Sequence, residues 1–211
     1  MILGTSLKHG GYYYYKIHKA KLDKLNVDKN LKDFLIDMLE NCPDHHFEKG
    51  PRSSVLKLNL NPKLENISHP VNHMARIGLE SNYYGNAHLN VQMFMLAYDQ
   101  STIAIEVPLW LEAHELKSFE NLFNSDEPLS GHIDVLSFDG DNIWIWDYKP
   151  NAHREKYATT QTFFYALMLS KRTKIPLKNF RCGYFDDKNT YVFSPLNVDQ
   201  SILQNLNLLS H

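Results

Sequence analysis

Cysteine is almost missing from this 211-residue chain: Cys42 and Cys182 are the only two. Two thiols cannot build a disulfide scaffold, nor a four-cysteine zinc or iron–sulfur site. So few cysteines fit a reducing, cytoplasmic setting. Long hydrophobic runs are missing as well. No apolar stretch approaches the ~18 residues of a membrane span, and the mean hydropathy is -0.41. The first ten residues lack a basic segment followed by an apolar one, so no secretory signal is expected. Nor is there an excess of either charge. The 22 basic residues stand against 24 acidic ones, so global charge argues neither for nor against a nucleic-acid partner. No Gly-x-x-x-x-Gly-Lys-Ser/Thr loop occurs, which excludes an attached helicase motor, and His-Glu-x-x-His, Gly-x-Ser-x-Gly and Cys-x-x-Cys are absent too.

Apolar material is ample: 43% of residues are hydrophobic and 12% aromatic, which suits one sizeable core and rules out a disordered chain. Basic charge is concentrated in residues 1–32, where seven lysines face only Asp23 and Asp28. The same segment holds Tyr12, Tyr13, Tyr14 and Tyr15 in a row. Tyrosines among lysines can stack bases while the lysines neutralise phosphates. In a strand, successive tyrosines alternate faces, so at most half could line one groove. Tyr13, Tyr15, Lys16 and Lys19 are the candidates for nucleic-acid contact. The alternative is a strand that packs its tyrosines on the core beneath solvated lysines.

Leu31, Phe34, Leu35, Met38 and Leu39 recur at helical spacing, with Asp28 or Asn30 as N-cap. Residues 41–70 carry four prolines and read as a loop with one short strand at 55–60. A helix is expected from about Gly85 to Tyr98. The period then changes. Ile103, Ile105, Val107 and Leu109 alternate as a strand, and 131–138 and 143–148 form a hairpin about Asp139-Gly140-Asp141-Asn142. An apolar helix at 157–170, a second hairpin of 180–185 with 190–193, and a weak helix at 201–209 complete the pattern. Helices followed by β-β-β-α-β-β indicate an α/β or α+β fold with a sheet flanked by helices.

The chemistry is concentrated in Gly131-His132-Ile133-Asp134 and Trp146-Asp147-Tyr148-Lys149. Asp147 and Lys149 are two apart on a strand and leave the same face, with Trp144, Trp146 and Tyr148 on the other. Counting outward from the turn makes Asp134 and Asp147 near-opposite cross-strand neighbours. Two carboxylates repel unless a cation lies between them, and hard oxygen ligands suit Mg²⁺ or Mn²⁺. A lysine beside them can hold or deprotonate a water. The bland alternative is the solvated face of an edge strand.

With Gln161 and Tyr165, which share a helix face at i, i+4, these segments resemble the RecB-type branch of the PD-(D/E)XK nuclease superfamily, which includes Cas4-like exonucleases. The Gly-x-Ile-Asp strand, the Asp-Tyr-Lys strand and the Gln-x-x-x-Tyr helix occur in order, within 85–193. The resemblance implies a restriction-endonuclease-like core: a mixed central β-sheet flanked by helices, with a helical or loop N-terminal portion. It implies one nuclease domain, 1–211, with 1–80 a basic, aromatic portion able to serve as a nucleic-acid-binding subdomain and 85–193 the catalytic core. It also implies that His88, in Gly85-Asn86-Ala87-His88, binds Mg²⁺ or Mn²⁺ with Asp134, Asp147 and the backbone carbonyl of Tyr148. Glu106, in Ile105-Glu106-Val107-Pro108, would assist, with Glu112 as its competitor. Lys149 would orient or activate the attacking water, and Gln161 and Tyr165 would steady Lys149 or contact the scissile strand. Many relatives in that branch carry a four-cysteine iron–sulfur cluster, which two cysteines cannot supply, so a cluster-free member is expected. The implied substrate is DNA, single-stranded or at ends, cut by exo- or endonucleolytic action. No membrane partner is expected, and a homo-oligomer is left open. A non-catalytic nuclease-fold DNA-binding module and a structure-selective junction endonuclease are the competing readings.

Overall fold

In the computed structural model, which describes residues 1–117 and 119–199, the alternating apolar runs become strands of one eight-stranded sheet. The chain opens with a hairpin, β1 (Ile2–Lys8) and β2 (Tyr12–His18), followed by helices α1 (Lys19–Lys24) and α2 (Lys29–Asp37). A long connection carries two short 3-10 turns, Asp44–Phe47 and Ser53–Val55, and the two-residue β3 (Glu65–Asn66). Next come the helices α3 (Pro70–Ser81) and α4 (Ala87–Tyr98), the strand β4 (Thr102–Leu111) and the short helix α5 (Phe119–Phe123). The hairpin β5 (Leu129–Phe138) and β6 (Ile143–Tyr148) follows, then α6 (Ala158–Thr173), β7 (Phe180–Phe185) and β8 (Thr190–Phe193). The helix expected at 201–209 lies outside the described residues.

The strand order is β1-β2-β4-β5-β6-β7-β8-β3. Every neighbouring pair is antiparallel except β6 with β7, which run parallel and are joined by the crossover helix α6. This mixed sheet flanked by helices is the expected α/β class. Among the described residues, the two larger apolar clusters flank it. Val71 and Ala75 of α3 and Val91, Met95 and Leu96 of α4 pack on Ile105, Val135, Trp146 and Tyr148. Leu31 and Leu35 of α2 and Phe163, Phe164 and Leu167 of α6 pack with Leu109, Ile133, Ile145 and Phe180.

Two expectations need correction. The N-terminal portion is not helix and loop from its start, because the β1–β2 hairpin extends the sheet by pairing Lys16 and Ile17 with Ile105 and Ala104 of β4. Aromatic residues favour a pleated surface, and Gly10, at φ 72°, supplies the left-handed residue that the tight turn needs. The segment 55–60 is not a strand. Its Leu58 carbonyl accepts the Thr160 hydroxyl of α6, and its Leu60 carbonyl accepts the Asp199 amide, so neither carbonyl is left for a sheet partner. The helix α3, which begins on Pro70 with His69 as N-cap, was not anticipated.

Candidate active site

The hairpin that presents the Asp134 and Asp147 motifs is set by its turn. The Asp139 side chain accepts the amides of Asp141 and Asn142 at 2.9 and 2.7 Å, and Gly140 takes φ 106°. The register from that turn runs Phe138↔Ile143 to Val135↔Trp146, so the next residues outward are Asp134 and Asp147. On the other side of β5, Ile105↔Val135 and Val107↔Ile133 bracket Glu106 and Asp134. Glu106, Asp134 and Asp147 therefore form one row across β4, β5 and β6.

The ladder opens at this row. Asp134 Oδ2 accepts the Tyr148 amide at 2.9 Å, so a carboxylate stands where a strand carbonyl would. Glu106 takes φ 51° in mid-strand. A non-glycine residue held there costs on the order of 1–3 kcal/mol, which the surrounding sheet must outweigh. Across it the strand changes sides: Ile105 lies in the cluster under α3 and α4, and Val107 lies in the cluster under α6. The strained residue thus turns the glutamate toward the two aspartates. Glu112 lies beyond the end of β4, 3.3 Å from His114 and 3.7 Å from His46.

The electrostatics are those of crowded acids. Asp147 is wholly buried. Burial first, and Asp134 second, push its carboxyl up to about 7. Burial and Glu106 raise Asp134, and burial raises Glu106, each likewise to about 7. Lys149 Nζ stands 2.7 Å from Asp147 Oδ2. That contact is a buried ion pair. Burial pulls the Lys149 pKa down, but Asp147 and Asp134 outweigh it and leave the ammonium favoured. The Lys149 amide continues the β6–β7 pairing onto the Phe185 carbonyl at 2.9 Å.

The helix α4 closes one side. Asn86 caps it by accepting the Leu89 amide at 3.0 Å, which fixes His88 in the first turn. The His88 ring stands edge-on to Tyr148 at 5.0 Å. Burial lowers its pKa against the pull of Asp147, so the imidazole is neutral near pH 7. One turn on, the Gln92 amide donates to Glu106 Oε1 at 2.7 Å. Gln92 escaped sequence reasoning, although its i, i+4 spacing from His88 was the available signal.

The helix α6 closes the other side. Gln161 Nε2 donates to the Tyr165 hydroxyl at 2.9 Å, and both side chains are buried, 7% and 2% exposed. Burial, followed by Asp147, raises the Tyr165 pKa. A Cβ at position 131 would stand 2.5 Å from the Tyr165 ring and 2.3 Å from Ser53 Oγ, so the motif needs glycine there. The polar ends of Gln161 and Tyr165 meet each other and are packed behind the acids.

The N-terminal candidates divide. Tyr15 is 0% exposed and its hydroxyl donates to the Leu35 carbonyl, so its ring is not available to stack a base, and that expectation is corrected. The Tyr13 ring is occupied, stacked on His132 at 3.8 Å and 9°. Lys16 is half-buried and Lys19 exposed, and they are the two lysines of this set at the surface. Sequence reasoning also missed Arg52. Its guanidinium donates to the His9 carbonyl and the Tyr13 hydroxyl, both at 2.9 Å, and lies over the Tyr13 ring. No carboxylate pairs with it among the described residues, yet its charge reaches Glu106.

The donor set fits a hard divalent cation. Three buried carboxyls are raised by burial and mutual repulsion, and a neutral imidazole adjoins them. The fit rests on donor chemistry and not on a tight cage. Among the described residues, the group of His, Cys, Asp or Glu ligand atoms within 4.8 Å of one another lies elsewhere, at His9, Cys42 and Asp44. No described helix is long and apolar enough to cross a membrane.

A family model described as the PD-(D/E)XK nuclease superfamily matches residues 61–207. No curated protein and no solved structure matches the chain.

Proposed function

The chain belongs to the PD-(D/E)XK nuclease superfamily, and from that premise we propose that it is a metal-dependent deoxyribonuclease of the cluster-free RecB-type branch. Its proposed reaction is phosphodiester hydrolysis in single-stranded DNA or at DNA ends. The observation that carries this is the row Glu106–Asp134–Asp147, with Lys149 2.7 Å from Asp147. Holding three acids together costs stability and serves no packing purpose. The branch is supported by Gly131-His132-Ile133-Asp134, Asp147-Tyr148-Lys149 and Gln161 with Tyr165, and by a cysteine count of two.

In this proposal Asp134, Asp147, His88 and the Tyr148 carbonyl hold Mg²⁺ or Mn²⁺. The cation would set positive charge against the phosphate and make an attacking water more acidic. Lys149 is kept protonated by its acidic neighbours, so it acts as a fixed charge and donor toward the nucleophile and the phosphate. Glu106, raised to about 7 and aimed into the row, is the chain's own proton acceptor. Gln92 holds one Glu106 oxygen and leaves the other for that task. Gln161 and Tyr165 back the row. Lys16, Lys19 and Arg52 contact the DNA backbone.

The test is incubation of the purified protein with end-labelled single-stranded, duplex and branched DNA in Mg²⁺, Mn²⁺ or EDTA. Cleavage in either metal and none in EDTA supports the proposal. Absence of cleavage on every substrate, in folded protein, sinks it and leaves a binding module. Preference for branched DNA would move the function to junction cleavage.

A further inference from the structure

We infer that the N-terminal hairpin is pinned to the sheet by a zinc ion held by His9, Cys42 and Asp44. His9 is some thirty residues from Cys42 and Asp44 in the chain, yet one ligand atom from each of the three lies within 4.8 Å of the others. His9 Nε2 is 2.8 Å from Asp44 Oδ1 and 4.0 Å from Cys42 Sγ. Zinc–nitrogen and zinc–oxygen bonds of about 2.0–2.1 Å and a zinc–sulfur bond of about 2.3 Å place tetrahedral donors roughly 3.3–3.6 Å apart. The two spacings from His9 are thus each about half an ångström from what zinc requires. The chemistry also selects the metal. An imidazole, a thiolate and one carboxylate make a borderline-soft set that suits zinc, and the all-carboxylate row on the sheet suits a hard cation.

Local structure places each donor. Cys42 and Asp44 flank Pro43 in a turn closed by the Asp44 amide on the Cys42 carbonyl at 2.9 Å. His9 follows the last residue of β1, is buried, and stacks on Phe47 at 3.8 Å and 7°. Its Nδ1 lies 2.9 Å from His132 Nε2. With zinc on Nε2, His9 carries its proton on Nδ1 and donates it to His132, the outer contact that fixes the tautomer of zinc-bound imidazoles. The proton then left on His132 Nδ1 faces Arg52 Nη2, now 3.3 Å away, so that contact opens on loading. Arg52 keeps its bonds to the His9 carbonyl and the Tyr13 hydroxyl. The Asp44 side chain is 64% exposed, which gives the ion an entry path and leaves room for a water as fourth ligand. Burial, then Asp44, pushes the Cys42 thiol up to about 12, so zinc binding must displace its proton.

The mechanical consequence is local to the hairpin. Tyr13 of β2 stacks on His132, which precedes Asp134 by two residues on β5. Joining His9 to the Cys42–Asp44 turn holds that stack in place and seats the hairpin against the strand that carries the acidic row.

The test uses the full-length protein stripped of metal, titrated with Co²⁺ as a spectroscopic probe and then with Zn²⁺. With Mg²⁺ in excess to occupy the acidic row, a thiolate-to-cobalt charge-transfer band should appear, saturate at one cobalt per chain and be displaced by Zn²⁺. The band should be absent in Cys42→Ser and persist in Asp147→Asn, which alters the acidic row. In Asp44→Asn, an exposed change that leaves the fold intact, cobalt affinity should fall about tenfold or more. Thermal unfolding of metal-free Cys42→Ser checks that this variant folds. Cobalt binding without a thiolate band in the wild type, or unchanged affinity in Asp44→Asn, overturns the assignment.

Discussion

Replacing Asp147 with asparagine should stabilise the metal-free protein at pH 8, and the gain should vanish on acidification. The wild-type carboxyl is wholly buried and pushed up to about 7, and an unfolded aspartate titrates near 3.9. Because the folded value is raised, the carboxyl costs nothing below about pH 4. The cost grows through the window between the two values and is fully present above about pH 7. A difference of roughly three pKa units at 1.36 kcal/mol each sets a ceiling of about 4 kcal/mol. Asparagine avoids this charge but loses the ion pair to Lys149 and must bury an amide, so a net gain of about 1–3 kcal/mol is expected. In a chain of this length each kcal/mol is about 2–4 °C in Tm. Urea unfolding in EDTA from pH 4.5 to pH 8 measures it. Saturating Mn²⁺ should reverse the order, because only the wild type gains binding free energy, about 2.7 kcal/mol at one hundred times Kd. A variant that is less stable at pH 8, or a difference that does not change with pH, would refute the electrostatic reasoning.

Other substitutions divide the roles within the row. Lys149→Ala should lose about 10²-fold or more in cleavage while calorimetry finds metal binding intact, and Lys149→Arg should not restore it; lost metal affinity would make Lys149 structural. If Glu106 accepts the proton, wild-type kcat should fall as pH drops below about 7, because the acceptor must be ionised. Glu106→Gln should then be slow and lack that limb, and a limb retained in the variant would assign it to another group. His88→Ala should lose activity and the preference for Mn²⁺ over Mg²⁺, so an unchanged metal titration would demote His88. Arg52→Ala should weaken DNA binding and lower the salt slope of log K by about one, since no carboxylate among the described residues pairs with Arg52; an identical slope would remove it from the DNA contact.

What could be read from the sequence was local. The strands β5 to β8 and the helix α6 follow from alternating or continuous apolar runs bounded by turn residues, and all five were expected close to where they lie. The facing of Asp134 and Asp147 was legible for the same reason, since a hairpin's register is dictated by its turn. Features that depend on distant partners were not. Nothing in residues 1–18 announces that β2 will pair with β4 some ninety residues later, or that Tyr15 will be buried with its hydroxyl on the Leu35 carbonyl of α2. The loop at 55–60 alternates like a strand, but no sheet edge is offered to it, and helix α6 takes its carbonyl instead. The meeting of His9 with Cys42 and Asp44 is of the same long-range kind.

A second class of failure is more informative, because it falls on the acidic row itself. Alternation treats Glu106 as one more residue of a regular strand. The chain instead holds it at φ 51°, a conformation its sequence neighbours do not favour. Pleating gives Asp134 a place in the β5–β6 ladder, yet its carboxylate takes the Tyr148 amide that strand pairing would use. Burial rules keep crowded acids out of a core, and Asp147 is wholly buried with Asp134 raising its carboxyl further. Three departures from local consistency on three adjacent strands, in one register row, are not independent accidents of packing. Each costs stability by itself, and local rules are broken in concert where a sequence has been shaped for chemistry at the expense of its fold. The residues that a propensity-based reading handles worst are therefore the ones that best locate the site. Glu106 is proposed over Glu112 on this ground: Glu106 is held in a strained conformation within the row, and Glu112 lies beyond the end of β4.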